Sequence, residues 1–324
     1  MAILAGIDEA GLGPVVGPLV VSTGVFRLPE RIARENLWRL LAGAVTRRSL
    51  RRSPALPLAD SKTMHVRSDG PVHLERGVLG LLGLIGPPPG GLRELLGRVA
   101  GGAAGAMDAY PWYAGADLPL PRWADATDVA LRANGAAEAM ARVGMSLEAV
   151  RAEVLLAGDY NRIVGATRNK AAALFGVTSR LIAYVFGTHA GDDDDGPCRI
   201  VVDRQGGRIR YRRHIQRMFE DAELKIVEES DRRSVYLLRA RGRAAEVHFL
   251  TDGEDACLPV AFASMVSKYL RELFMELLNR YWAARIDGLR PTAGYFVDGR
   301  RFLRDIAAAL DAEGVDRALL VRSR

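Results

Sequence analysis

Two adjacent carboxylates, Asp8 and Glu9, follow directly on the apolar run Ile3-Leu4-Ala5-Gly6-Ile7, and a glycine-rich turn, Gly11-Leu12-Gly13-Pro14, comes next. Such a run reads as a strand buried on both faces. An acid at its end loses hydration, at a cost of several kcal/mol unless a bound cation or a chemical task offsets it. A second apolar run, Arg199-Ile200-Val201-Val202, ends in Asp203, and a third group of acids, Asp252, Glu254 and Asp255, comes just before Pro259. Asp60-Ser61-Lys62 places one more acid and a lysine in a loop. If the strands ending in Asp8 and Asp203 are neighbours, about 4.8 Å apart, their carboxylates converge at one sheet edge. Clustered oxygen donors suit hard divalent cations, and two such ions about 4 Å apart can clamp the attacking water and the leaving oxygen of a phosphodiester. Without metal these acids repel one another and their pKa values rise.

The elements that must position these residues can be read along the chain. Residues 17 to 27 branch and alternate as a second strand, forming a hairpin with the first. Residues 30 to 52 read as a basic helix, and 86 to 150 as a Gly/Pro-rich then Ala-rich insertion with short helices. Asn161 to Phe186 has the spacing of one long amphipathic helix. Arg208 to Phe219 reads as a basic helix, and Ser234 to Leu250 as a hairpin turning at Arg241-Gly242. Pro259 opens a helix to about Ala284, with Val266, Leu270, Leu273 and Leu277 as its core stripe and Ser264, Lys268 and Arg271 on another face. A last helix is expected over Arg300 to Ala312. The acidic run Asp192 to Asp195, flanked by glycines and proline, reads as a solvated turn.

The 324 residues suffice for one large α/β domain, 1–324, with residues 86–150 inserted within it. The net charge of +6 is clustered at Arg204 to Arg217 and Arg232 to Arg243, which is compatible with a polyanionic partner. Of the 45 basic side chains only four are lysine, Lys62, Lys170, Lys225 and Lys268, so each is a position where a compact ammonium is kept against a bias toward arginine. Two cysteines, Cys198 and Cys257, form no disulfide framework and no zinc pattern. The apolar start lacks a basic leader and is interrupted by Asp8 and Glu9, so no secretory leader and no membrane span is expected; a cytoplasmic chain, monomeric, is.

The segments Gly6 to Pro14, Asp60-Ser61-Lys62, the strand ending in Asp203, and Glu254 to Pro259 leading into Ala263 to Lys268 together resemble, in order, the type 2 ribonucleases H, that is ribonucleases HII and HIII. Gly294-Tyr295 before a helix resembles that family's C-terminal substrate-contacting tyrosine segment, and Asn161 to Ala171 its central helix. The resemblance implies a ribonuclease H-like mixed sheet flanked by helices, and cleavage of the RNA strand of RNA/DNA hybrids with two Mg²⁺ or Mn²⁺ ions, leaving 3′-hydroxyl and 5′-phosphate ends. It implies catalytic and metal-binding roles for Asp8, Glu9, Asp203 and Asp255, with Asp8 bridging both ions and with Asp252 and Glu254 competing for the fourth place. It further implies substrate contacts from Gly11, Leu12, Gly13, Lys62, Asn169, Lys170, Ser264, Lys268 and Tyr295.

Three residues depart from that pattern. Leu12 stands where ribonuclease HII has the arginine of a Gly-Arg-Gly turn that reads a 2′-hydroxyl, Cys257 where a basic residue follows the fourth acid, and Glu272 where the family has Asp. Loss of the arginine removes a charged phosphate contact, so the chain could favour longer hybrids over a single ribonucleotide within a DNA duplex. Two other readings compete. A nucleotide-binding glycine loop is disfavoured because its third glycine is displaced and a strand follows. A hybrid-binding module that kept the fold with weakened catalysis is the alternative.

Overall fold

The computed structural model describes residues 1–48, 53–65, 68–192 and 196–323. Asp193 to Asp195 of the acidic run, and the end of the segment read as helix over 30 to 52, lie outside the described residues.

Among the described residues seven strands form the main sheet: β1 (Ala2–Ala10), β2 (Leu19–Leu28), β3 (Ser146–Leu155), β4 (Cys198–Asp203), β5 (Glu223–Glu229), β6 (Arg233–Ala240) and β7 (Arg243–Leu250), in the order β3-β2-β1-β4-β7-β6-β5. β1 pairs antiparallel with β2 and parallel with β4, and β4 pairs parallel with β7. This is the mixed sheet flanked by helices that the sequence leads one to expect. The helices that matter for the site are α1 (Ser61–Met64), α2 (Val72–Leu82), α3 (Leu92–Val99), α4 (Ala126–Val143), α5 (Ala157–Thr167), α6 (Lys170–His189), α7 (Arg212–Met218), α8 (Leu258–Ala283) and α9 (Phe296–Asp305).

The period-2 alternation of β1 explains the two cores. Ile3, Ala5 and Ile7 face α6 and join Leu181, Ile182 and Val185, whereas Leu4 faces α8 and joins Val260, Phe262 and Met265. By length and composition alone α6 could cross a membrane, but half of its apolar stretch is buried inside the molecule. Both cysteines are free.

Local competition moved several boundaries. Residues 30 to 52 do not form one helix: a 3₁₀ turn at Glu30–Ile32 is followed by a single helical turn, Leu37–Leu40, and a two-residue strand, Val45–Thr46, paired with Leu56–Pro57. The Asn36 side chain restarts the chain there by accepting from the Arg39 amide at 3.1 Å. The helix expected over Asn161 to Phe186 is two helices, because Arg168 adopts a left-handed φ of 50° and Asn169 caps α6, accepting from the amides of Ala171 at 2.9 Å and Ala172 at 3.3 Å. The 86–150 segment is helical through α3 and α4, but its last residues enter β3, a full sheet strand. β5, outside any sequence expectation, extends the sheet beyond the Ser234 to Leu250 hairpin. The basic helix shortens to α7, and the last helix begins earlier, at Phe296.

The contact that places α8 is its close approach to β1. A β-carbon on Gly6 would lie 2.1 Å from the Pro259 carbonyl carbon and 2.1 Å from the Val260 nitrogen, both backbone atoms that cannot yield. Substituting Gly6→Ala should therefore cost about 3 kcal/mol by overpacking and lower the melting temperature by roughly 4–5 °C. Gly187→Ala in α6, where a β-carbon meets nothing within 4 Å, should leave it unchanged or slightly raised. Thermal unfolding of the two variants checks this, and equal melting temperatures would contradict it.

Candidate active site

The parallel register of β1 and β4 pairs Ile7 with Val202, so Asp8 and Asp203 are the next residues on adjacent strands. Both lie on the side of the sheet that carries Leu4 and Val201, facing the start of α8. The carboxyl ends of parallel strands are where open α/β sheets place their ligands. Asp8 is 6 % exposed; its carboxylate accepts from the Glu9 amide at 2.7 Å and from the Ser264 hydroxyl. Asp203 accepts from the Gly253 amide at 2.9 Å. The short helix Gly253–Ala256 then brings Glu254 onto Asp203, with which it shares a side-chain hydrogen bond. Lys62, exposed at the start of α1, reaches Glu254 at 3.4 Å.

Among the acids next to Pro259 the structure groups Glu254, not Asp255, with Asp8, Glu9 and Asp203. Asp255 is exposed and forms an ion pair with Arg47. Asp252, in a left-handed conformation with φ 52°, leads into the short helix and places the Gly253 amide on Asp203.

The electrostatics follow from packing like charges out of water. Burial, then the charges of Glu9 and Glu254, push the Asp8 carboxyl well above the usual range against two hydrogen bonds. Burial together with Asp203 and Glu254 raises Glu9 to about 7. Burial, the Asp8 charge and the hydrogen bond to Glu254 raise Asp203 to about 8. Burial raises Glu254 too, but the hydrogen bond from Asp203 and the Lys62 ammonium outweigh it and hold this carboxyl below its usual range. Asp203 and Glu254 thus titrate as a coupled pair, Asp203 pushed up and Glu254 held down.

Among the described residues no group of three or more His, Cys, Asp or Glu side chains stands ready to hold a metal ion as placed. The donor chemistry nonetheless fits a hard divalent cation: the cluster is all oxygen, and Glu254 Oε2 is buried without a hydrogen-bond partner.

The other sequence-derived residues fall into two groups. Ser264 joins the acids and shares a 3.0 Å hydrogen bond with the Ser61 hydroxyl. Lys268 is turned to Glu272 at 2.6 Å, with His65 on the same carboxylate at 4.0 Å. Asn169 is committed to capping α6, and Lys170 is its first residue. The Gly11–Gly13 turn lies apart from the acids, over the buried Arg271, whose guanidinium is 5.6 Å from the half-exposed ring of Tyr295. Sequence reasoning missed Ser267, which donates to the Asp8 carbonyl at 2.9 Å and shares a 2.6 Å hydrogen bond with Ser22, and Arg322 from the C-terminus. The i, i+3 repeat of Ser264 and Ser267 next to an apolar stripe was a readable signal for the first; nothing marked the second.

No family model matches the chain, and no curated protein does. Among solved structures the chain is similar to ribonuclease HII of Archaeoglobus fulgidus, seen in complex with PCNA, at 16 % identity over 99 % of this chain and 94 % of that one, TM-score 0.45. It is similar to ribonuclease H2 of Pyrococcus horikoshii OT3 at 14 % identity over 98 % and 92 %, TM-score 0.47. A third such structure is Bst-RNase HIII in complex with Mn²⁺, at 15 % identity over 99 % of this chain and 66 % of that one, TM-score 0.44.

The raised carboxyls fix a sign for pH dependence. Glu9 and Asp203 hold protons in the folded, metal-free chain up to about 7 and 8, whereas the unfolded chain releases them near 4. Between these limits the folded state binds more protons, so this contribution to stability falls as pH rises from about 4 to about 8. In chelator, the melting temperature of the wild type relative to Asp203→Asn should decline over that window, and millimolar Mg²⁺ or Mn²⁺ at pH 8 should raise the wild type selectively. A difference independent of pH would contradict the raised carboxyl of Asp203.

Proposed function

We propose that this chain is a metal-dependent endoribonuclease of the ribonuclease H type that cuts the RNA strand of RNA/DNA hybrids, leaving 3′-hydroxyl and 5′-phosphate ends. The observation that carries the proposal is the convergence of Asp8, Glu9, Asp203 and Glu254 at the ends of two parallel strands. On this reading Glu254, in place of Asp255, is the fourth acid. When bound, Mg²⁺ or Mn²⁺ supplies Lewis acidity for a water attacking a phosphodiester and for the departing oxygen.

The chain's own residues do the rest. Ser264 and the Glu9 amide aim the Asp8 carboxylate, and the Gly253 amide aims that of Asp203. Lys62 sits at the rim of the acid cluster with most of its side chain in solvent, where its ammonium can meet a substrate phosphate without leaving Glu254. Tyr295 offers a half-exposed ring for stacking against a sugar, backed by Arg271. Gly11, φ 91°, makes the turn possible where a β-carbon would meet the Pro18 carbonyl oxygen and Arg271, and at the exposed Gly13, where a β-carbon would meet nothing within 4 Å, a strand can approach the backbone.

The test is a hybrid with labelled RNA, incubated with Mg²⁺ or Mn²⁺, alongside a duplex containing one ribonucleotide. Asp8→Asn and Glu254→Gln should each lower kcat/KM by about 10³-fold or more, whereas Asp255→Asn, which removes only an exposed ion pair, should stay within about threefold. Equal loss in Asp255→Asn and none in Glu254→Gln would overturn the choice of fourth acid. Tight hybrid binding with no cutting by wild type and variants alike would favour the binding-module alternative.

A further inference from the structure

The glycine turn that follows Glu9 in sequence is held from behind by residues 318 to 323. Arg322 is 3 % exposed, lies over the Tyr160 ring at 3.9 Å, and donates through its two terminal guanidinium nitrogens to the carbonyls of Gly11 and, at 3.1 Å, Leu12. Its own amide donates to the Val15 carbonyl at 2.8 Å, and Val321 bridges Val16. The Asn161 side chain clamps this strap, donating to the carbonyls of Ala318 at 2.8 Å and Val321 at 2.7 Å and accepting from the Ser323 amide at 2.6 Å. Among the described residues Arg322 has no carboxylate partner.

Each contacted carbonyl belongs to a peptide unit whose other end is an N–H. The Gly11 carbonyl is joined to the Leu12 amide and the Leu12 carbonyl to the Gly13 amide, and neither of these amides donates a hydrogen bond among the described residues. A guanidinium on the carbonyl end of a planar peptide draws charge toward it and strengthens the amide end as a donor. Leu12 brings no charge to this turn from the front; Arg322 brings one from the back.

We propose that Arg322 is a positioning residue for nucleic-acid recognition, fixing and polarising the Gly11-Leu12 and Leu12-Gly13 peptides so that the Leu12 and Gly13 amides donate to an oxygen of the bound strand. The inference rests on the hybrid-cutting function for its ligand. The acceptor is a ribose hydroxyl or a phosphate oxygen, and the two differ in whether an all-DNA duplex feels the change.

Full-length Arg322→Met and Arg322→Lys are compared with wild type by steady-state cleavage of an RNA/DNA hybrid, and in an Asp8→Asn background by binding to hybrid and to all-DNA duplex. Arg322→Met should raise KM and the hybrid dissociation constant about tenfold, with kcat within about twofold, as expected for loss of one aligned charge-assisted contact. Arg322→Lys keeps the charge but cannot span both carbonyls, so its effect should be about threefold. Should the Met variant melt, the Lys variant decides. Weakening confined to the hybrid identifies a ribose hydroxyl, and equal weakening on both duplexes a phosphate; either outcome supports the role. A wild type that binds hybrid while folded Met and Lys variants bind it within twofold overturns the inference alone. A wild type that neither binds nor cuts hybrid removes the function and the inference together.

Discussion

The mutual repulsion of four carboxylates in a poorly hydrated corner is the constraint on which the rest of this structure turns. The register of β1 against β4 leaves Asp8 and Asp203 side by side, and α8 then closes over them and removes water. Each charge added there raises the cost of the next. The structure meets that cost with fixed donors: the Gly253 and Glu9 amides, the Ser264 hydroxyl, and Lys62 at the rim. Among these donors only Lys62 carries a charge, so burial still holds Asp8, Glu9 and Asp203 above the usual carboxylate range.

Holding the donors in place explains features remote from the acids. Ser264 can reach Asp8 only because α8 lies directly on β1, and it lies there because residue 6 has no side chain. The buried chain Ser22–Ser267–Asp8 carbonyl pins the same helix to both strands of the first hairpin. Below the hairpin turn, Arg271 of α8 donates to the carbonyls of Val16 and Ala293 at 3.4 and 2.8 Å, and the Val15 amide donates to Gly294 at 2.8 Å. One helix thus sets both the acid cluster and the platform of the turn.

That Asp8, Glu9 and Asp203 meet was legible because an ionisable residue that ends an apolar run has few reasons to be there. Which of the acids before Pro259 joins them was not, because Asp252, Glu254 and Asp255 share one turn of chain and differ only in direction. Successive residues on a helix point roughly 100° apart, which is enough to put Glu254 on Asp203 and Asp255 on Arg47. Sequence spacing does not carry that angle. The break between α5 and α6 was hidden for a related reason: the apolar period continues across it, while the local chemistry of Arg168 and Asn169 overrules it. β3 was masked by its setting after an alanine-rich helix, and as a sheet edge it alternates exposed Ser146 and Glu148 with buried Leu147, a pattern too short to outweigh the helical composition before it.

Two buried guanidiniums, Arg271 and Arg322, flank one short turn, and burial pushes both below the usual arginine range; Arg271 meets one carboxylate, Glu272 at 3.8 Å, and Arg322 none among the described residues. Burying a cation with little or no compensating charge is costly, and an apolar side chain would fill either space more cheaply. What both arginines do contact is backbone carbonyl from chain segments far apart in sequence, Val16 and Ala293 for Arg271 and Gly11 and Leu12 for Arg322. Arg271 holds Val16 from one side and Arg322 holds Gly11 and Leu12 from the other, so the turn is fixed at both ends while its outer face stays open. A neutral Leu12 in front of such a turn therefore does not make it electrostatically neutral: its positive character comes from behind, through peptide units whose amides face the open side.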